Sequence, residues 1–238
     1  MTCDTATSVT TVHVHVAFTP AEKAAARIGI VVDVLRATST IPQALASGYR
    51  RVLCCGEIEQ ARALRASIPD SLLAGERNAQ RVEGFEAGAS PREFLEPRAE
   101  TLILSTTNGT QAILAAAARC DEVLLGSLLN LHAVVARAHS LGGDVAILCA
   151  GFKGAFALDD AYCAGRIVAL LDGERTDAAI ASELVARSFP DALSGLNART
   201  YGPPGLEEDI AWCARESVLD VVPRLERMVE GAAEIVAA

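Results

Sequence analysis

The stretch VVDVLRATSTI, from Val31 to Ile41, decides the fold that this sequence predicts. It overlaps an apolar, β-branched run from Ile28 to Val34. Such a run is typical of a strand buried on both faces, as in a parallel sheet covered by helices. An arginine, three hydroxyl residues and an Ala/Leu-rich segment that ends at Gly48 follow the run. The chain is therefore predicted to pass from a strand through a polar turn into a helix.

Asp33 and Arg36 lie at this junction of strand and helix. Open α/β sheets bind ligands at the carboxyl ends of their strands, and the free N–H groups of a helix N-terminus favour an anion. The two residues therefore point to a metal ion and an oxyanion. A helix cap with a surface arginine as its partner is the alternative, and the spacing alone leaves both open.

The pattern of strand, turn and helix recurs along the chain. Further apolar strands are predicted at 51–55, 101–105, 122–126 and 144–150, and a helical segment follows each. This alternation predicts an α/β fold, a layered α/β/α arrangement with a mainly parallel or mixed sheet. We expect one domain over residues 1–238, or two closely packed lobes.

Two segments depart from this pattern. Leu72 to Pro91 contains three glycines and several charged residues, which predicts a functional loop. Val218 to Leu225 is predicted to be a final strand, confined to a sheet edge by Pro223.

Composition limits the partners and the compartment. The formal net charge is -9, with 30 acidic and 21 basic residues, which argues against nucleic acid or an anionic membrane as a partner. The seven cysteines show no C-x-x-C spacing and are predicted to be buried thiols of a reducing compartment. We see no secretion signal and no apolar span of the roughly 18 residues that cross a bilayer, so we expect a soluble, cytoplasmic protein.

Three further groups of polar residues follow predicted strands. The turn from Thr106 to Thr110 could cap the next helix, but five consecutive polar or glycine residues fit a nest of N–H and O–H donors for an anion better. Lys153, between two glycines, could reach a bound phosphate. Asp159 and Asp160 either complement the dipole of the helix that they open or hold a cation.

Several known phosphate and acyl-transfer motifs are absent. The sequence has no G-x-x-x-x-G-K-[ST] loop, no G-x-S-x-G elbow and no cysteine-phosphatase loop. The haloacid dehalogenase motif fails because Leu35 stands where its second aspartate would be. The remaining carboxylates suit Mg²⁺, and the arginines and helix N-termini suit a phosphate or sulfonate.

Five blocks of sequence carry a resemblance to a known family: VVDVLRATST at 31–40, GERN with EGFEAGASP at 75–91, TTNGTQAI at 106–113, CAGFKGAFALDDAYCAG at 149–165 and EEDIAWC at 207–213. Together they resemble the 2-phosphosulfolactate phosphatases, Mg²⁺-dependent enzymes of the route to coenzyme M and related sulfonates. The resemblance implies a cytoplasmic phosphoric monoester hydrolase that forms a homo-oligomer, expected to be a dimer. Its small anionic phosphate ester would be (R)-2-phospho-3-sulfolactate, hydrolysed to 3-sulfolactate and phosphate.

The resemblance also implies roles for individual residues. The expected catalytic residues are Asp33, Arg36 and Arg77. The expected substrate-binding residues are Thr38, Ser39, Thr40, Asn78, Asn108, Gly109, Thr110, Gly151, Lys153 and Gly154. The expected Mg²⁺ ligands come from Asp33, Glu76, Asp159, Asp160 and Asp209.

Some alternatives stay open at this stage. Phe152-Lys153 and Ala79-Gln80 depart from the family pattern, so another small phosphorylated hydroxy acid is an alternative substrate. A non-catalytic sensor of an anionic metabolite is an alternative function. Asp33 could attack phosphorus directly or orient a water molecule.

Overall fold

The strand and the helix predicted on either side of the turn after Asp33 are observed close to their predicted positions. In the computed structural model, which describes residues 11–22, 24–202 and 204–238, the strand covers Ala26–Val32 and Asp33 follows it directly. The helix covers Ala37–Ser47 and ends at Gly48, whose φ of 116° is a left-handed conformation that glycine adopts without strain.

The described residues form eleven strands and eight helices. The strands are β1 (His13–Ala17), β2 (Ala26–Val32), β3 (Arg51–Cys55), β4 (Ser71–Arg77), β5 (Gln80–Arg81), β6 (Thr101–Ser105), β7 (Cys120–Leu125), β8 (Val145–Cys149), β9 (Glu174–Arg175), β10 (Pro223–Val229) and β11 (Ala232–Ala237). The helices are α1 (Ala37–Ser47), α2 (Ile58–Ser67), α3 (Gly109–Ala117), α4 (Leu131–Leu141), α5 (Leu158–Val168), α6 (Asp177–Arg187), α7 (Ala192–Asn197) and α8 (Glu207–Cys213). A short 3₁₀ helix, Pro91–Phe94, precedes β6.

All the strands belong to one sheet, with the order β5-β4-β6-β3-β11-β10-β7-β2-β8-β1-β9. Strands β4, β6 and β3 form one parallel block, and β7, β2, β8, β1 and β9 form a second. The antiparallel hairpin of β10 and β11 joins the two blocks. The predicted α/β fold with a mainly parallel sheet is confirmed.

Helices cover both faces of the sheet. The apolar sides of α4 to α8 pack against one face of the second block. Helix α2 packs against the first block. Helices α1 and α3 share one hydrophobic cluster with strands of both blocks, so they lie where the two parallel blocks meet. Because β2 leads into α1 and β6 leads into α3, this cluster brings the ends of two distant strands together.

Two predictions about strands are wrong. The strand predicted at 218–225 begins at Pro223 and lies inside the sheet, because a proline at the first position of a strand does not interrupt the hydrogen-bond ladder. The first part of the predicted loop at 72–91 is the buried strand β4. Its Gly75 is needed because a Cβ there would lie 2.2 Å from the Ser105 carbonyl oxygen on β6.

None of the helices in the described ranges combines the length and the apolar character that a membrane span requires.

Candidate active site

A pocket of about 380 Å³ lies at the first turns of α1 and α3. Its lining includes residues at or after the carboxyl ends of β2, β4, β6 and β8, among them Asp33, Glu76, Asn108 and Lys153. Asp159, in the first turn of α5, also lies in the lining.

The N-termini of α1 and α3 approach each other closely beside this pocket. A Cβ at Gly109 would lie 2.5 Å from the Ala37 Cβ and 2.6 Å from Asp33 Oδ2, so glycine permits the approach. No side chain of the described residues caps either helix. The Asn108 carboxamide oxygen instead accepts a hydrogen bond from the Lys153 N–H at 3.3 Å. Asn108, which precedes the first turn of α3, lines the pocket, so the free N–H groups of that turn lie beside the pocket, where an anion would accept from them.

Three carboxylates form the acidic part of the pocket lining. Burial, and then the nearby Glu76 and Asp159 carboxylates, raise the pKa of Asp33 to about 7. The Glu76 carboxylate accepts hydrogen bonds from the Ala79 N–H at 2.6 Å and the Thr107 N–H at 3.0 Å. Burial also raises the pKa of Asp159, which accepts a hydrogen bond from the Tyr201 hydroxyl. Negative charge is thus concentrated around Asp33.

This carboxylate set fits Mg²⁺. In the part of the chain described, no group of three or more His, Cys, Asp or Glu side chains could hold a metal ion. Mg²⁺, however, is commonly bound by one or two carboxylates together with water and substrate phosphate oxygens. Asp33 and Glu76 line the same pocket, and a divalent cation there would neutralise the repulsion that raises the pKa of Asp33.

Two predicted metal ligands, Asp160 and Asp209, lie outside this lining. The two Asp160 oxygens accept hydrogen bonds from the N–H groups of Val34 at 2.9 Å and Gly151 at 3.0 Å. Asp209 pairs with Arg36 at 2.7 Å and accepts a hydrogen bond from the Ser90 hydroxyl. Both carboxylates are thus engaged by protein groups outside the pocket lining, whereas Glu76 lies in the lining.

The two predicted catalytic arginines are also engaged by the protein. Arg77 donates to the carbonyl oxygens of Glu76, Ser105 and Gly56 and to the Ser105 hydroxyl, and it does not line the pocket. It ties together the ends of β3, β4 and β6. Arg36 lines the pocket, but its guanidinium pairs with Asp209 and donates to the Ala79 carbonyl oxygen at 3.1 Å.

Comparison with known proteins adds independent evidence to this geometry. A family profile described as 2-phosphosulpholactate phosphatase matches residues 14–228. The chain belongs to this family. The predicted resemblance is confirmed, and with it the predicted enzyme class, since 2-phosphosulpholactate phosphatases are phosphoric monoester hydrolases.

Members of the 2-phosphosulpholactate phosphatase family match over most of the chain. A protein of Caldanaerobacter subterraneus subsp. tengcongensis is 38% identical over 210 residues, which cover 83% of this chain and 87% of the relative. One of Symbiobacterium thermophilum is 37% identical and covers 86% and 93%. One of Clostridium acetobutylicum is 35% identical and covers 85% and 91%. Each relative is named a probable 2-phosphosulfolactate phosphatase.

In this member of the 2-phosphosulpholactate phosphatase family, the three hydroxyl residues after Arg36 are buried and serve the backbone. The Thr38 hydroxyl accepts the Asp33 N–H at 3.0 Å, Ser39 donates to the Val34 carbonyl oxygen at 2.8 Å, and Thr40 donates to the Ala89 carbonyl oxygen at 2.7 Å. These contacts fix the turn that carries Asp33. None of the three residues lines the pocket.

The remaining predicted substrate-binding residues fall into two groups. Asn78, Asn108 and Lys153 line the pocket. The others contribute backbone: Gly109 and Thr110 to the first turn of α3, and Gly151 and Gly154 to the left-handed turns around Lys153.

Sequence reasoning missed the contribution of the segment before α8. No site residue was predicted in this segment, yet Arg199, Tyr201, Gly202 and Leu206 line the pocket. The Phe152 ring, also in the lining, stacks on the Tyr201 ring with centroids 4.5 Å apart. An arginine and a tyrosine in a loop rich in glycine and proline were the available signal.

Proposed function

We propose that this protein hydrolyses (R)-2-phospho-3-sulfolactate to 3-sulfolactate and phosphate with the help of Mg²⁺. One observation carries the proposal: Asn108, at the uncapped N-terminus of α3, and the carboxylates of Asp33 and Glu76 line one small pocket. An anion site beside a cation site is what phosphoryl transfer to water requires, because that reaction depends mainly on positioning and charge neutralisation. The names of the relatives support the choice of substrate.

Different groups at the pocket have different proposed roles. The N–H groups of Asn108, Gly109 and Thr110 would donate to the phosphate oxygens. Asp33 and Glu76 would hold Mg²⁺, which would withdraw negative charge from the phosphate when bound. The Glu76 carboxylate is already held in place by two backbone N–H groups, so it needs little reorganisation.

The proposal is tested by phosphate release from (R)-2-phospho-3-sulfolactate with Mg²⁺ and with EDTA. We expect turnover that chelation abolishes and that Asp33→Asn lowers by at least about 100-fold, since the variant removes a charge that acts on the reacting group. The matched control is Asp172→Asn, because the Asp172 side chain is fully exposed at 101% of its reference area.

Two outcomes would contradict the proposal. Phosphate release that is unaffected by EDTA would remove the role of the cation. Thermal stabilisation by the ester without any turnover would favour a sensor of anionic metabolites instead.

We also propose that the enzyme acts in the cytoplasm as a homodimer, in a route to coenzyme M or a related sulfonate. The six cysteines in the described ranges are all free thiols, and five of them are buried, which supports a reducing compartment. Light scattering coupled to size-exclusion chromatography measures the oligomeric state, and a mass of one chain would contradict the dimer.

A further inference from the structure

Two cationic side chains, Arg199 and Lys153, lie in the pocket lining, and the charge of Arg199 acts on the nearby Asp159 carboxylate. Neither forms an ion pair with any carboxylate in the described ranges. The Arg199 Nε is buried and has no hydrogen-bond partner there, while one Nη donates to the Tyr201 carbonyl oxygen. Arg36 and Arg77, in contrast, are engaged by an aspartate and by carbonyl oxygens. The positive charge available to a ligand therefore lies on Arg199 and Lys153.

Aromatic rings link these two cations to each other. The Lys153 Nζ lies 5.4 Å from the centroid of the Phe152 ring, and the Arg199 Cζ lies 6.0 Å from the centroid of the Tyr201 ring. The two rings stack at 4.5 Å and each has a cation near its own centroid, so we call these four residues together the cation–aromatic column.

The cation–aromatic column is attached to both parts of the site already described. The Lys153 N–H donates to Asn108 at the start of α3, the proposed phosphate-binding turn. The Tyr201 hydroxyl donates to Asp159, in the acidic part of the lining. A substrate whose phosphate lies at α3 would thus present its other groups within reach of the column, because the whole pocket measures only about 380 Å³.

We propose that Arg199, assisted by Lys153, binds a second anionic group of the substrate and so determines specificity. This inference rests on the proposed function and names the substrate class as phosphate esters that carry a carboxylate or sulfonate on the same short carbon chain. A guanidinium binds either group through paired N–H donors. An ester without such a group gains no bond from the Arg199 guanidinium, so it should bind more weakly than an ester that carries the group.

The test compares wild type and Arg199→Met on four esters. They are 2-phospho-3-sulfolactate, 2-phospholactate with only the carboxylate, the phosphate ester of 2-hydroxyethanesulfonate with only the sulfonate, and ethyl phosphate with neither. We expect kcat/KM for phosphosulfolactate to fall about 10- to 100-fold, mainly through KM, as for a lost charge-assisted hydrogen bond. Ethyl phosphate should be hydrolysed equally by both proteins. The one-anion ester that shows the loss identifies the group that Arg199 binds.

Two control variants separate binding from structure. Arg98→Met removes an exposed arginine outside the pocket and should change none of the rates. Arg199→Lys should recover part of the loss, because it restores the charge but not the paired donors. An equal loss on all four esters would overturn the proposal, since Arg199 would then only position Tyr201, and so would no loss on any ester.

Calorimetry with 3-sulfolactate distinguishes failure of this inference from failure of the proposed function. We expect the Kd to rise about 10- to 100-fold in Arg199→Met and to stay unchanged in Arg98→Met. If wild type hydrolyses no ester but binds sulfolactate through Arg199, the proposed function fails and the subsite stands. If wild type hydrolyses phosphosulfolactate and Arg199→Met matches it in rate and affinity, the subsite fails and the function stands.

Discussion

At the scale of single residues, the site depends on how closely two chain segments approach at Gly109. This residue begins α3, and the space that a side chain would take is filled by Ala37 and by the Asp33 carboxylate. Asp33 thereby lies against the N-terminus of a helix that follows a strand of the other parallel block. Glycine is therefore required at position 109 for the Asp33 carboxylate to lie beside the proposed anion-binding turn.

Gly109→Ala tests this close approach. The added Cβ would lie 2.6 Å from Asp33 Oδ2, so the carboxylate or the helix must shift. We expect a loss of about 1–3 kcal/mol in the free energy of unfolding, as for overpacking, and at least a tenfold loss of activity. Urea denaturation and phosphate release measure the two effects. The control is Gly56→Ala, where the added Cβ meets nothing within 4 Å; equal effects in the two variants would contradict the prediction.

The raised pKa of Asp33 makes stability depend on pH. Burial and the neighbouring Glu76 and Asp159 carboxylates move that pKa from 3.8 to about 7, so between these values the folded protein binds more protons than the unfolded chain. The free energy of unfolding of the metal-free protein should therefore fall as pH rises from about 4 to 7.

Asp33→Asn should remove part of this slope. Urea denaturation with EDTA at pH 5 and pH 8 measures it in both proteins. The gain in stability of the variant over wild type should be larger at pH 8 than at pH 5. Parallel pH profiles of wild type and variant would mean that Asp33 is ionised in the folded protein throughout this range.

At the scale of elements, the charged side chains of Asp160 and Arg77 hold in place the chain segments that carry the site residues. Asp160, in the first turn of α5, accepts N–H groups from the turn after β2 and from the turn after β8. Arg77 does the same for the ends of three strands of the other block. Residues that sequence patterns present as ligands thus hold the loops on which the pocket is built.

Asp160→Asn tests this structural role. The amide keeps one acceptor oxygen but turns its NH₂ group toward a second N–H donor, leaving that buried donor unsatisfied. We expect a loss of about 1–3 kcal/mol in the free energy of unfolding, measured by urea denaturation. The exposed Asp172→Asn serves as the control and should be neutral. Unchanged stability of Asp160→Asn would contradict this account.

At the scale of the whole molecule, contacts between distant parts of the sequence position residues that line the pocket. The ion pair of Arg36 and Asp209 joins residues 173 positions apart, and both side chains are at most 9% exposed. The Ser90 hydroxyl binds the same aspartate. This pair holds α8 against the start of α1, and the segment before α8 carries Arg199 and Tyr201 into the pocket.

Asp209→Ala should destabilise the protein strongly. Removing one partner of a buried ion pair leaves the arginine charge uncompensated, so we expect a loss of about 3–5 kcal/mol in the free energy of unfolding. Glu208→Gln is the control, because Glu208 is 77% exposed and its pair with Arg92 is worth at most about 1 kcal/mol. Similar small losses in both variants would contradict a buried role for Asp209.

The amino-acid sequence by itself determined the alternation of strands and helices and the strand ends that bear Asp33, Asn108 and Lys153. These features could be predicted because the spacing of buried apolar residues along a strand or helix is visible in the local sequence. In addition, parallel strands place polar, ligand-binding residues at their carboxyl ends. Only the tertiary structure determined which charged side chains are available to a ligand. Other protein groups bind the side chains of Arg36, Arg77, Asp160 and Asp209, whereas Arg199 and Tyr201 lie in the pocket lining. The physical reason is that a side chain's partner, and hence its availability to a ligand, depends on the packing of segments far apart in sequence.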